Sequence, residues 1–287
     1  MNALTIARFT IHEAVSRRLV LAALVLSAIF LALFALGFMM LYGMVVEEVA
    51  QRPAVSDDQE LVLAPSLLTV LGLYAVHFLS SFLALFLTVN AISGEIDSGT
   101  LHAVLARPIR RVEFILGRWL AYVAMIGAYV GGMAGLIFAI AFAVAGYQPV
   151  DAPRTLVLMA LGAVLLLSVS LFGSSILSTL ANGVVVFTLF GLAWLGGIVE
   201  FIGTLAQNGA MVNLGIVVSL LVPSDGVWKA ASFYAQSPAF VVMASAQPVG
   251  IPFFGSTPPA GPFLVWAGVY PLVFLLFAVR AFSKRDL

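Results

Sequence analysis

Six long runs of apolar residues alternate with short polar stretches along the chain: Leu19 to Val46, Leu67 to Ile92, Phe114 to Tyr147, Leu156 to Leu180, Val184 to Ile202 and Phe263 to Phe282. A hydrocarbon core of about 30 Å needs roughly 20 helical residues, so each run predicts one transmembrane helix. The third run is longer than a span requires, which puts its first turns, with Gly117 and Arg118, in the headgroup region.

Two weaker patterns flank these runs. In residues 1–18, Leu4, Ala7, Ile11, Ala14 and Val15 recur at helical spacing while Arg8, His12 and Glu13 fall elsewhere, which predicts an amphipathic helix on the membrane surface. The polar leader is too long, and the apolar run after it too extended, for a cleavable signal peptide. Between the fifth and sixth runs, Ala210 to Val222 is apolar over 13 residues. That length suits an interfacial or re-entrant piece. The rest of the 203–262 stretch is rich in Pro and aromatic residues and reads as an irregular outer cap.

Composition agrees with an integral membrane protein. Of 287 residues, 62% are hydrophobic and 9% are charged, against about 25% charged in soluble domains. The net charge is zero, but its placement is uneven. With the N terminus inside, the cytoplasmic pieces hold Arg8, Arg17, Arg18, Arg107, Arg110, Arg111, Arg118, Arg280, Lys284 and Arg285; the outer pieces hold Arg52, Arg154 and Lys229. This bias predicts that both termini are cytoplasmic. The expected fold is therefore all-α, a single transmembrane domain over 1–287 with six membrane-spanning helices.

Little in the chain supports catalysis. There is no cysteine, and neither Lys229 nor Lys284 follows a glycine-rich phosphate loop, so no nucleotide is bound in that manner. His12, His77 and His102 lie in separate segments and make no metal-ligand pattern, so no metal is expected. Met39, Met40 and Met44 could offer soft ligands but read as packing residues. The serines of Gly173 to Ser178 lack a partner His and read as back-bonding within a helix. Glu47 to Arg52 matches the EExxxR element of intramembrane glutamate proteases, yet Leu73 and Ser80 stand where the His patterns around His77 would need Phe and Asn. Such a protease, or a non-transporting membrane scaffold, is the alternative of a different class.

Two features inside the spans carry weight. Glu200 is the only acidic residue within a run, close to its outer end, where it either meets the interface or serves a pathway or an ion pair. Gly127, Gly131 and Gly135 recur every four residues and form a smooth face for close helix approach, within this chain or against a second copy.

The segment 93–113, between the second and third runs, concentrates the remaining signals. Ser93 and Gly94 close the preceding helix. Asp97, Ser98 and Thr100 offer caps for a short helix over Leu101 to Ala106, on which Leu101, Val104 and Leu105 share one face. Arg107 leaves the helical region because Pro108 follows it, and Arg110 and Arg111 enter the third span. An apolar face on a solvated loop calls for a partner, either the lipid surface or a protein.

This segment resembles the one between the second and third helices of ABC type-2 transporter permeases. Gly94, Glu95, Ser98, Gly99, Thr100, Leu105, Pro108, Arg111, Gly117 and Arg118 fill the family pattern. Arg110 stands where members often carry a capping Ser, and Val104 where Leu is common. The N-terminal helix, the turn at Ala181-Asn182-Gly183 and the last span before a basic tail are also similar. The resemblance implies a non-enzymatic, multi-pass permease of a prokaryotic plasma (inner) membrane, paired with a second copy as a homodimer and docked on a separate ATPase that holds ATP and Mg. It also implies that the short cytoplasmic helix is a coupling helix, with Glu95, Asp97, Ser98, Gly99, Thr100, Leu101, Val104, Leu105, Arg107, Pro108, Arg110 and Arg111 at the contact. An outer or periplasmic protein partner fits this picture, and a nucleic acid does not. Within the family the chain looks most similar to the permeases that include that of the nitrous oxide reductase copper-maturation system. The apolar spans suit a lipid-like or peptide cargo, or transmission of force.

Overall fold

The helix over Ala152–Ile176 (α5) is the axis on which the other elements pack, with 67% of its most apolar stretch buried against protein. The structure, a computed structural model, describes residues 3–15, 18–51, 58–94, 110–246 and 253–284. In chain order the other helices are α1 (Ala3–Val15), α2 (Arg18–Gln51), α3 (Asp58–Thr88), α4 (Arg111–Ala145), α6 (Thr179–Leu205), α7 (Gly209–Leu221), α8 (Ser224–Ala235), α9 (Pro238–Ala246) and α10 (Gly261–Ser283). No strand occurs among the described residues. Six helices, α2 to α6 and α10, are long and apolar enough to cross a membrane.

Their bounds differ from the apolar runs by a few residues, because a helix continues into the headgroup region after its sequence turns polar. Thus α2 runs to Gln51 and α6 starts at Thr179, so Ala181, Asn182 and Gly183 lie in its first turns. The second span shifts the other way: α3 ends at Thr88 and not at Ile92. Residues 89–92 form turns.

Because apolar contact gives little drive between helices in lipid, polar cross-links fix the packing. Ser27 of α2 shares a 2.6 Å hydrogen bond with Tyr129 of α4. Trp119 Nε1 of α4 donates to Ser168 Oγ of α5 at 2.9 Å, and Trp194 Nε1 of α6 donates to Tyr74 Oη of α3 at 2.8 Å. Ser174 and Ser175 bond back to the carbonyls of Leu171 and Phe172, as their mid-helix placement predicts. At the opposite extreme from α5, only 11% of α2's most apolar stretch is buried, and Met39, Met40 and Met44 on it are exposed.

The stretch 203–262 is helical over much of its length, which corrects the reading of an irregular cap. Two of its prolines sit at helix boundaries, Pro223 as the N-cap of α8 and Pro238 opening α9, while 253–260 is non-helical as expected. Asn208 caps α7 by accepting from the amides of Ala210 and Met211. α7 runs back along α6, bends by 96° and continues as α8. The C-terminal carbonyls of α7 are satisfied by α10, where Trp266 Nε1 donates to Leu220 O at 3.0 Å and Tyr270 Oη to Leu221 O at 2.8 Å.

The far end of α8 returns to the level at which α7 began. Tyr147, just after α4, donates to Ala235 O at 2.7 Å, and the Asp151 amide donates to Tyr234 O. The α7–α8 pair therefore enters and leaves at one end of the bundle, here called the distal end. The other end gathers α1, the start of α4 and the last turn of α10: Ile6 of α1 lies against Gly117, and Arg111 reaches Phe282 and Ser283.

Three glycines bring α6 and α7 into contact, and a fourth brings α6 against α8. A Cβ added at Gly196 would meet Val218, at Gly203 Met211 and Val212, and at Gly215 the Cβ of Glu200; at Gly197 it would meet Asp225 of α8. A Gly215→Leu substitution should destabilise the protein by about 1–3 kcal/mol, read as a lower midpoint of thermal unfolding followed by Trp fluorescence in detergent. Gly268→Leu, at a position with nothing within 4 Å, should leave that midpoint unchanged.

Candidate functional site

Residues 95–109 carry most of the expected contact positions, and Glu95, Asp97, Ser98, Gly99, Thr100, Leu101, Val104, Leu105, Arg107 and Pro108 lie outside the described residues. The structure does describe both junctions of this segment with the bundle. Upstream, the end of α3 leaves the Val89 carbonyl free of a helical partner, and Asn182 Nδ2 of α6 donates to it at 2.9 Å. The same nitrogen donates to Ser170 O of α5 at 2.9 Å. Asn182 is fully buried, so one amide joins the ends of three helices where water cannot compete. Four residues on, Ser93 Oγ and Thr179 Oγ1 share a 2.8 Å hydrogen bond.

The downstream junction uses charge. Arg110 is the N-cap residue of α4, extended at φ −69° and ψ 131°, and its side chain makes no capping bond, as its replacement of a capping Ser leads one to expect. Arg111 Nη1 donates to Phe282 O at 3.2 Å and Ser283 O at 3.1 Å, in the last turn of α10, where orphan carbonyls and the helix dipole both favour a cation. Its guanidinium carbon is 6.0 Å from the Phe282 ring centre, Phe282 stacks on Phe114 at 5.6 Å, and Arg118 lies 4.6 Å over Phe114. Arg118 is thus buried against protein at the start of α4.

At the distal end Glu200 is part of an ion-pair cluster. Lys229 Nζ of α8 is 2.9 Å from Glu200 Oε2 and 3.4 Å from Asp225 Oδ2, one turn earlier on its own helix. Sequence reasoning had placed Lys229 in the outer loop and passed over Asp225, although the i, i+4 spacing of Asp225 and Lys229 was a signal for one helical face. Glu200 and Lys229 line a cavity of about 510 Å³, whose other walls include Phe201, Phe253 and Phe263. A second cavity of about 260 Å³, lined by Gly197, Phe201, Asp225, Lys229 and Phe253, adjoins it.

The glycine face of α4 is open. A Cβ at Gly127, Gly131 or Gly135 would meet nothing within 4 Å, so these residues do not pack against another helix among the described residues. Glu47 and Glu48 are exposed at the end of α2, whereas His77 is buried and stacked on Trp228 at 5.3 Å. That separation gives the protease alternative no shared catalytic site. No group of three or more His, Asp or Glu side chains that could hold a metal occurs among the described residues.

No curated protein matches the chain in sequence. The family model described as ABC-2 family transporter protein matches residues 4–287. With six membrane-length helices and a match over nearly its whole length, the chain belongs to the ABC-2 transporter family and is a membrane permease component of an ABC transporter.

Proposed function

We propose that this permease is driven by a separate ATPase subunit that docks on the segment 95–109, and that both termini face the cytoplasm with it. The observation that carries this reading is the double latch. One end of the segment is tied to α6 and α5 through Asn182, Ser93 and Thr179. The other is tied to α10 through Arg111. A partner that moves the segment must move these helix ends with it. ATP binding by the partner then biases the bundle between two arrangements, provided nucleotide and cargo each prefer one of them. Leu101, Val104 and Leu105 form the docking face, with Glu95, Asp97, Ser98, Gly99, Thr100, Arg107, Pro108 and Arg110 around it. ATP and Mg belong to the partner.

The permease acts as a homodimer in a prokaryotic plasma membrane. The open face of Gly127, Gly131 and Gly135 supports a second copy docked against α4, because small residues let backbones approach closely in lipid. The distal end then faces outward, and Glu200 stands at the outer part of the cargo pathway. The copper-maturation subgroup remains a resemblance of sequence, to which the exposed Met39, Met40 and Met44 add nothing.

Leu101→Glu with Leu105→Glu should abolish co-purification of the ATPase while the permease stays monodisperse; retained binding of the ATPase would refute docking at this segment. Because the chain has no cysteine, a Gly131→Cys variant offers a direct test of the pairing. Oxidation in membranes should give a cross-linked dimer from Gly131→Cys and none from Leu180→Cys, a position exposed on α6; absence of the Gly131 cross-link would place the pairing face elsewhere.

A further inference from the structure

The cluster of Glu200, Lys229 and Asp225 holds two carboxylates against one ammonium, so with all three ionised it carries one excess negative charge. Of the three, Glu200 and Lys229 line the 510 Å³ cavity, and no other charged residue lines it among the described residues. Asp225 is 6% exposed, and its Oδ2 accepts no hydrogen bond among the described residues; Lys229 Nζ at 3.4 Å is the cation beside it. A buried carboxylate oxygen in that condition is under-satisfied. Glu200 is the accessible member, its side chain 33% exposed.

This arrangement permits an exchange. Lys229 needs only one carboxylate to be neutralised, and Asp225 is within reach of it. A ligand cation arriving at Glu200 could therefore take Lys229's place, leaving Lys229 to Asp225 and no buried charge unpaired. An arriving anion would find only an ammonium already shared by two carboxylates.

The cavity wall is built to be held in place. Phe253 has φ 70°, a left-handed conformation that is costly for an aromatic residue. The neighbouring groups over-determine it. Its carbonyl accepts from Trp228 Nε1 at 2.7 Å, and its ring lies parallel to Trp194 at 6.1 Å. The Gly255 amide donates to Ser232 Oγ at 2.8 Å. With Phe201 and Phe263, Phe253 gives the cavity apolar aromatic walls beside a carboxylate, and aromatic faces also attract cations. A volume of this size suits a small amphiphile.

We propose that the distal cavity binds an amphiphile carrying one protonated amine, with its ammonium at Glu200 in exchange for Lys229 and its apolar body against Phe201, Phe253 and Phe263. The proposal deepens the permease reading by naming a ligand class, and it rests on that reading only for the ligand's being cargo.

The test uses the purified permease alone in phosphatidylcholine nanodiscs, with empty nanodiscs as blank. The probe is dansylcadaverine, which joins an apolar fluorophore to a primary amine. It should bind the wild type saturably, at least about tenfold more tightly than its N-acetyl derivative. Glu200→Gln should weaken it by about tenfold, since the carboxylate that receives the ammonium is gone. Asp225→Asn should also weaken it, because Lys229 is then held by Glu200 alone. Unchanged Trp fluorescence and a monodisperse profile would show that both variants are folded. Equal binding of the acetylated probe, or undiminished binding in either folded variant, overturns the proposal.

Repeating the titration with phosphatidylethanolamine in the nanodisc distinguishes two sources of the same chemistry. Competition by that lipid assigns the site to a lipid amine, and equal affinity assigns it to an amine from outside the bilayer. ATPase docking is measured separately by co-purification, so a failed titration leaves that reading standing and a failed docking leaves this site standing.

Discussion

In hydrocarbon a backbone carbonyl or amide without a partner costs several kcal/mol, and the irregular parts of this bundle are arranged around that constraint. Three helix ends are met by side chains from other elements. The end of α3 is met by Asn182 from α6, the end of α7 by Trp266 and Tyr270 from α10, and the end of α10 by Arg111 from α4. These bonds keep broken backbone from facing lipid. They also decide which helices move together, because a helix end held by a buried bond cannot shift without breaking it or carrying its partner along.

The two ends of the molecule use the constraint differently. At the basic end the satisfied carbonyls flank the segment 95–109, so the bonds act as rigid joints for whatever binds there. At the distal end the bent α7–α8 pair brings Lys229 and Asp225 against Glu200, beside the cavity lined by Phe253 and the chain after it. A membrane bundle tolerates such charges only if they are paired or reached by water. This cluster has both conditions on one side, with Asp225 buried and Glu200 at the cavity. α5 links the two ends: Ser170 near its basic end accepts from Asn182, and Thr155 near its distal end lies against Ala231 of α8.

Much of the architecture was legible in the sequence because lipid imposes length and apolarity on every span. All six spans follow from run length alone, and the N-terminal helix follows from its spacing of Leu4, Ala7, Ile11 and Ala14. What the apolar runs could not show were the tertiary partners of polar residues. Asn182 read as part of a turn, since nothing local shows that its amide reaches Val89, ninety-three positions away. Arg111 read as a topology signal and as part of the ATPase contact, and its bonds to Phe282 and Ser283 depend on how α4 meets α10. Helices α8 and α9 were missed because Pro223 and Pro238 suggest breaks, and a proline at a helix start looks the same in sequence as one in a loop. Glu200 was singled out by its rarity, but its partner Lys229 had been counted as a loop charge.

The central claim is that the segment 95–109 moves the bundle through the junctions made by Asn182 and Arg111. The most direct measurement places spin labels at Thr204 and Thr257, near the distal cavity, in the otherwise cysteine-free permease bound to its ATPase. The distance distribution between them is then compared with and without ATP and vanadate. The account predicts a nucleotide-dependent shift that disappears when Asn182→Ala and Arg111→Gln are combined, while the ATPase remains bound. An undiminished shift in that double variant would contradict it.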